Sequence, residues 1–310
     1  MRWETTAFQW LSRATGILVS DLTLTRIAGA TSSSLFRIGS RAAPKEVCFV
    51  LRVLDNADWL AREPELAERE AAALKEAERA SLPAPRLVAH AAKGPGFGAP
   101  VVLMTLVPGR VDLTPANLGR WIDALADQLA AVHAHKAADF PWTFNSWVEW
   151  DLLAVPAWTR RPDLWEQAIA WARSRRRSAG ERGAGDPAWV FLHRDYHPVN
   201  VLWREAAVSG IVDWINACRG PAGVDVAHCR VNLALMYGVA AAERFRLRYE
   251  RAAGGGPYDP FWDVDAALNL AWPKPVYYRP WRIFGLPPIP EETLAERAEE
   301  FLRVALSRVR

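Results

Sequence analysis

The stretch Phe191–Trp203, FLHRDYHPVNVLW, sets two histidines, an arginine, an aspartate and an asparagine between two apolar runs. The flanking runs read as short buried strands. Polar groups packed that densely between buried segments cost free energy unless each finds a partner or a task. Their spacing is H-x-D-x-x-x-x-N, carried by His193, Asp195 and Asn200, and the following GIVDW ends a further short strand at Asp213.

Composition bounds the setting. A chain of 310 residues, half of them hydrophobic and 24% charged, can bury a large core and divide into two lobes. No apolar run of the roughly twenty residues that cross a bilayer is present, so no membrane role is expected. The N-terminal MRWETTAFQWL carries charge on both sides of its few apolar residues and does not read as a secretory leader. Cys48, Cys218 and Cys229 lie far apart with no CxxC spacing, which fits a reduced cytoplasm. The net charge of +3 combines 33 Arg with only 5 Lys, too mild a surplus to argue for nucleic acid. The Lys shortage restricts which residue can serve as a phosphate-side cation.

Working outward, LTLTRIAGATSSSLFRI alternates apolar and polar residues on both sides of GATSSS, which predicts strand, turn, strand. Glu46–Leu54 predicts a third strand and PELAEREAAALKEAERA a helix. LPAPRLVAHA and APVVLMTLVPG predict two more strands around the glycine-rich loop Gly94–Gly98. Five strands and one helix make the first lobe, residues 1–107. VPGR (Val107–Arg110) punctuates like a linker. Residues 108–310 then read as mainly helical: an amphipathic helix over Asn117–His135, aromatic-rich short helices to Trp171, a loop RSRRRSAGERGAGDP, the strands of the opening stretch, and long helices around Val224–Arg251 and Glu291–Val309.

A carboxylate to take the proton of a substrate hydroxyl, with an Asn oxygen and a second carboxylate to hold magnesium, is what phosphoryl transfer asks of a protein. On HxD(x4)N and the strand-end Asp, the sequence resembles the aminoglycoside phosphotransferase and choline kinase group of kinase-like enzymes, from about residue 20 to 240. The resemblance implies an α+β, bilobal protein-kinase-like fold: an N-terminal antiparallel sheet with a helix, then a mainly α-helical lobe. It implies ATP (or another NTP) and Mg2+ as cofactors and a small-molecule hydroxyl as acceptor, in a monomer or homodimer. It makes Asp195 the catalytic base, Asn200 and Asp213 metal ligands, and His193 a structural residue of the loop. His197 has at most a supporting role; Asp225 opens a helix and reads as its N-cap, and the resemblance implies an Asp at about that place bracing the loop. Adenine would bond to backbone around Met104 and Leu106.

The upstream parts follow from pattern. A kinase-like lobe needs a cation on its third strand paired to a Glu on the next helix. Arg52 is the candidate, since Lys45 lies an odd number of positions away and so points to the opposite face. Glu70 lies on the apolar stripe of its helix and would be the partner. Glu63, Glu65, Glu68, Glu76 and Glu78 read as solvated. The GATSSS turn would offer Gly29, Ser32 and Ser33 to phosphates. His133 and His135 end a helix, a structural position, and Arg173–Arg177 reads as a solvated run.

Only twelve positions separate Asp213 from Asp225, too few for the segment on which protein kinases receive a peptide, so a small acceptor is expected. Thr143–Leu153 and Asn269–Gly285 would line its pocket, with Trp147, Trp272, Tyr277 and Trp281 for stacking or cation–π contact and Glu149 and Asp151 for a cationic group. The competing class is an inactive kinase-like nucleotide-binding regulator, distinguished by whether ATP turns over.

Overall fold

The structure is a computed structural model; it describes residues 3–43, 48–179, 189–254, 258–271 and 274–309, without the side chains of 176–179. In chain order the elements are α1 (Thr5–Thr15), β1 (Leu22–Ile27), β2 (Ser34–Ser40), β3 (Phe49–Val53), α2 (Ala57–Arg62), α3 (Leu66–Arg79), β4 (Leu87–Ala91) and β5 (Val101–Thr105). Then come α4 (Leu118–His133), α5 (Pro162–Ala179), β6 (Val190–Leu192), β7 (Val201–Arg204), β8 (Ala207–Ile211) and β9 (Cys218–Gly220). The last five are α6 (Gly223–Tyr237), α7 (Val239–Ala253), α8 (Phe261–Leu268), α9 (Arg279–Ile283) and α10 (Glu291–Ser307). The chain forms two compact units.

The first unit comprises Met1–Arg110 with Leu202–Arg204 and Ser209–Ala217. Its sheet has the order β1-β2-β3-β5-β4, each neighbouring pair antiparallel. Alternation along β3 explains its two coverings. Phe49, Leu51 and Val53 join Ala7 and Leu11 of α1 in one core, and Arg52 projects from the other face to Glu70 of α3. Three helices therefore stand where the sequence predicted one. The missed α1 is short and carries Thr, Gln, Ser and Arg among its apolar positions, so its amphipathic stripe is easily overlooked.

The later segments join this unit by backbone bonds. Arg110 and Trp203 exchange N–H···O=C bonds of 3.0 and 2.8 Å, and the Ile211 N–H donates to the Pro83 carbonyl at 2.6 Å. Arg69 of α3 donates to the carbonyls of Asn216 and Ala217 at 3.0 and 3.4 Å. Gly210 is required there, because a Cβ would stand 2.4 Å from Val107 Cγ1.

The second unit is helical, with β6 and β9 as an antiparallel pair. The predicted run Val224–Arg251 is two helices, broken at Gly238 with φ +90°. Where a loop was predicted from Arg173, α5 continues to Ala179; the remainder of that loop lies outside the described residues. The predicted short helices between residues 142 and 161 are irregular chain instead. Arg230 of α6 is 1% exposed and holds three helices: a bidentate pair with Asp263 of α8 at 2.8 Å, Glu243 of α7 at 2.7 Å, and the Ala242 carbonyl at 2.6 Å.

Candidate active site

In the first unit Arg52 is the centre of a buried charge cluster. Its Nε lies 3.2 Å from Glu70 Oε2 and one terminal nitrogen 2.8 Å from Asp213 Oδ1. The flat guanidinium fork suits two carboxylates at once, where a lysine ammonium is a point charge. Glu70 is fully buried, and burial pushes its carboxyl up to about 7, against the pull of Arg52; the Asp213 charge adds to the rise. Asp213 follows β8 in the left-handed region, φ +71° and ψ +56°, a conformation that a non-glycine residue holds only when its surroundings impose it. The imposing contacts include the α3 bonds to residues 216 and 217 and the fully buried Trp214, whose indole N–H donates to the Ile211 carbonyl at 2.8 Å.

The β1–β2 turn holds Gly29 at φ +103°, with Ser32 and Ser33 half-buried. The hydroxyl of the next residue, Ser34, donates to Asp55 at 2.6 Å. Met104 is buried within β5, and the Leu106 N–H donates to the Cys48 carbonyl at 3.0 Å, extending the β3–β5 ladder by one bond. Glu63, Glu65 and Glu78 are exposed and Glu68 half-buried. Glu76 departs from the surface reading: it is 8% exposed, and an i,i+3 pair with Arg79 at 2.9 Å neutralises it. Lys45 lies outside the described residues.

In the second unit the loop after β6 is fixed by Asp225, in the first turn of α6 and fully buried. Its two oxygens accept from the backbone N–H groups of His193 and Arg194 at 2.7 and 2.8 Å, and Oδ2 lies 3.3 Å from His133 Nε2. Burial raises the Asp225 carboxyl, but His133 and His193 outweigh it and hold it below the usual carboxylate range. His133 in turn contacts the Tyr249 hydroxyl at 2.7 Å, a structural role. The Asp195 N–H donates to His193 Nδ1 at 3.3 Å.

Both oxygens of Asp195 are engaged. Oδ1 lies 3.0 Å from His228 Nε2 and 3.8 Å from His197 Nε2, and Oδ2 accepts from the Asn200 amide at 3.1 Å. Burial works to raise this carboxyl, but His197, His228 and His193 together hold it well below the carboxylate range, so it is ionised at neutral pH. The Asn200 nitrogen also donates to the Asp195 carbonyl at 2.9 Å, which ties the amide to that loop.

Beside His228 opens a cavity of about 270 Å³, lined by one face of α6, one face of α8, Trp147 and Arg194. Trp147 is 48% exposed and stacks on the Arg194 guanidinium, 3.5 Å from ring centroid to Cζ. Glu149 and Asp151 are exposed on the loop beyond it and do not line this cavity. Trp281 is 2% exposed, packed against Tyr277 and Tyr278, and the Tyr277 hydroxyl donates to the Leu286 carbonyl. Trp272 lies outside the described residues. Sequence reasoning missed His228 and Asp265. A signal existed: Val224, Ala227, His228, Val231, Asn232 and Leu235 follow helical spacing, so the polar His228 and Asn232 share a stripe with aliphatic residues.

A five-stranded antiparallel sheet with a buried cation–carboxylate pair, followed by a helical unit carrying HxD(x4)N, defines a kinase-like phosphotransferase. The model of the phosphotransferase enzyme family (APH) matches residues 23–268, and the chain belongs to that family. No curated protein matches the sequence significantly. Among solved structures it is similar to a Ralstonia eutropha JMP134 protein assigned to the aminoglycoside phosphotransferases, at 15% identity and TM-score 0.66 over 98% of this chain and 99% of that one. It is similar also to the macrolide 2'-phosphotransferase of Brachybacterium faecium, at 18% identity and TM-score 0.54 over 96% and 97%. A third likeness is to a thermostable variant of aminoglycoside phosphotransferase APH(4)-Ia in complex with ADP and hygromycin B, at 16% identity and TM-score 0.58 over 98% of both chains. At these identities the likeness concerns the fold. Among the described residues, no helix is long and apolar enough to cross a membrane.

Proposed function

We propose that the protein transfers the γ-phosphoryl group of ATP, or another nucleoside triphosphate, to a hydroxyl of a compact small molecule, with Asp195 as the base. The supporting observation is the state of Asp195: ionised, braced through Asp225, and held at both oxygens by His228 and Asn200. A carboxylate held that way is ionised and oriented before the acceptor arrives, so the geometry of proton transfer is set in advance. Arg52 neutralises phosphate charge, Glu70 keeps Arg52 in place, and the Gly29–Ser33 turn lies over the phosphates. Residues 1–107 form the nucleotide-binding lobe and 108–310 the catalytic and acceptor lobe.

The metal-holding residues in this reading are Asn200 and Asp213. Each residue offers magnesium the donor type it prefers, an amide oxygen from Asn200 and a carboxylate from the partly exposed Asp213. Held by these residues, magnesium would supply charge neutralisation to the triphosphate. Asp213→Ala is expected to lower nucleotide affinity and to abolish its magnesium dependence in calorimetric titrations with and without chelator. Magnesium-dependent binding that survives the substitution moves the ligand assignment elsewhere.

The cavity beside His228 supports a particular acceptor class. Its walls are mostly aliphatic and aromatic, and its formal charges, Arg194 and Asp265, offset each other. A polycationic amino sugar needs several counter-charges, and burying an ammonium group without one is costly. A volume of about 270 Å³ also falls just below the usual range for drug-sized ligands. The acceptor in this reading is a compact hydroxyl compound with an apolar body and at most one charge of each sign. ADP release should therefore be faster with homoserine, choline and small neutral alcohols than with kanamycin, and Trp147→Ala should raise the KM of the best acceptor. Fast turnover of kanamycin with no response to Trp147→Ala overturns this acceptor assignment.

A further inference from the structure

Asp195, His197 and His228 bring one oxygen and two imidazole nitrogens within 4.8 Å of one another. Ligand atoms about 2.0–2.2 Å from a zinc-type ion, arranged tetrahedrally, stand roughly 3.3–3.6 Å apart. The two separations from Asp195 Oδ1, 3.0 Å to His228 and 3.8 Å to His197, straddle that range. The elements holding these groups are fixed independently of any ion. His197 and Asp195 belong to the loop braced by Asp225, and His228 sits on the second turn of α6, whose third residue is Asp225 itself. The imidazole planes of His197 and His228 are near perpendicular, at 83° with centroids 5.6 Å apart, so they are not stacked in a way that would bar a shared ion. His228 also lines the cavity of about 270 Å³.

We infer that Asp195, His197 and His228 form a second cation site, selective for zinc-type ions over magnesium, whose occupation takes Asp195 out of service as a base. Two imidazoles and one carboxylate favour a borderline-soft ion; magnesium keeps to oxygen and gives up water reluctantly. A metal bound to Oδ1 draws electron density from the whole carboxylate and so lowers its power to take the acceptor's proton. The site differs in residues and in donor chemistry from the oxygen set Asn200 and Asp213. Metal binding stands without the phosphotransferase reading; only its inhibitory effect rests on it.

The experiment is titration of the whole chain with Co2+, the spectroscopic stand-in for Zn2+, in excess Mg2+. Wild type should take up one equivalent with the visible absorption of a four-coordinate site, and Zn2+ should displace it. His228→Gln and His197→Gln should each weaken binding at least tenfold. Circular dichroism spectra matching wild type show that the variants are folded, and Cys48→Ser, Cys218→Ser and Cys229→Ser variants test for thiolate binding. In the activity assay Zn2+ should inhibit wild type with Mg2+ and nucleotide saturating, over the same concentration range in which it displaces Co2+ from the site. Absence of the band, a band unmoved by both histidine substitutions, or a band lost in a cysteine variant overturns the site. Binding as described without inhibition overturns the effect on Asp195 and leaves the site standing.

Discussion

Replacing Asp195 by Asn is expected to cut phosphoryl transfer by ~10²–10⁴-fold, the usual cost of removing a positioned general base. The substitution is nearly isosteric. Residue 195 keeps an oxygen for the Asn200 amide, and the loop keeps its braces, since the backbone bonds to Asp225 involve residues 193 and 194. Nucleotide affinity should therefore barely change, and the loss should fall on kcat. Turnover near wild type would remove Asp195 from the chemistry. A collapse of nucleotide binding would make it a metal ligand or a brace instead. Because the carboxyl is held well below the ordinary range, wild-type turnover should not fall through protonation of Asp195 itself at mildly acidic pH.

Arg52→Ala is expected to cost stability as well as nucleotide affinity. Among the described residues it leaves Glu70 with no cation in contact, and it takes from Asp213 an ion pair of 2.8 Å. Breaking a buried ion pair by deleting one partner typically costs about 3–5 kcal/mol, because the remaining charge stays desolvated. Glu70 softens that figure by protonating, and this gives a pH signature. Its folded-state carboxyl is raised from 4.5 to about 7, so the folded protein holds a proton that the unfolded chain has released. Stability from this group is fully present below pH 4.5 and is lost as the pH rises through about 7. Glu70→Gln should flatten that slope in denaturant midpoints measured across the window. An unchanged slope would show that Glu70 titrates normally. Arg52→Lys should fall between wild type and Arg52→Ala, since an ammonium cannot present the same fork to two carboxylates.

Much of the candidate site was legible because its residues are local in sequence. His193, Asp195 and Asn200 fall within eight residues, and Asp213 follows one hairpin later. Arg52 was legible for a different reason: the period of two along a strand puts it opposite the apolar residues of β3, and the 3.6-residue helical period turns Glu70 inward. Both expectations meet in one ion pair. His228 was not legible, because it reaches Asp195 across a fold, 33 positions along the chain, and a histidine on an apolar helix face is more often a core residue. The Arg230–Asp263 pair was hidden in the same way, since nothing in either helix alone says that its charged residue is buried. The helix boundary at Gly238 was a matter of degree. A lone glycine inside a periodic run costs about 1 kcal/mol against alanine and does not by itself end a helix; here its positive φ does.

Arg52 also sets what can be done to this protein with covalent reagents. A guanidinium stays protonated up to pH values above ~12 and offers no lone pair for acylation at neutral pH, whereas a buried lysine amine can be made nucleophilic. The five lysines, Lys45, Lys75, Lys93, Lys136 and Lys274, all lie outside β3. Amine-acylating nucleotide analogues that mark kinase-like enzymes through the strand lysine have no target at position 52. The protein would pass such a reagent unlabelled at β3, so labelling surveys built on that amine would undercount it.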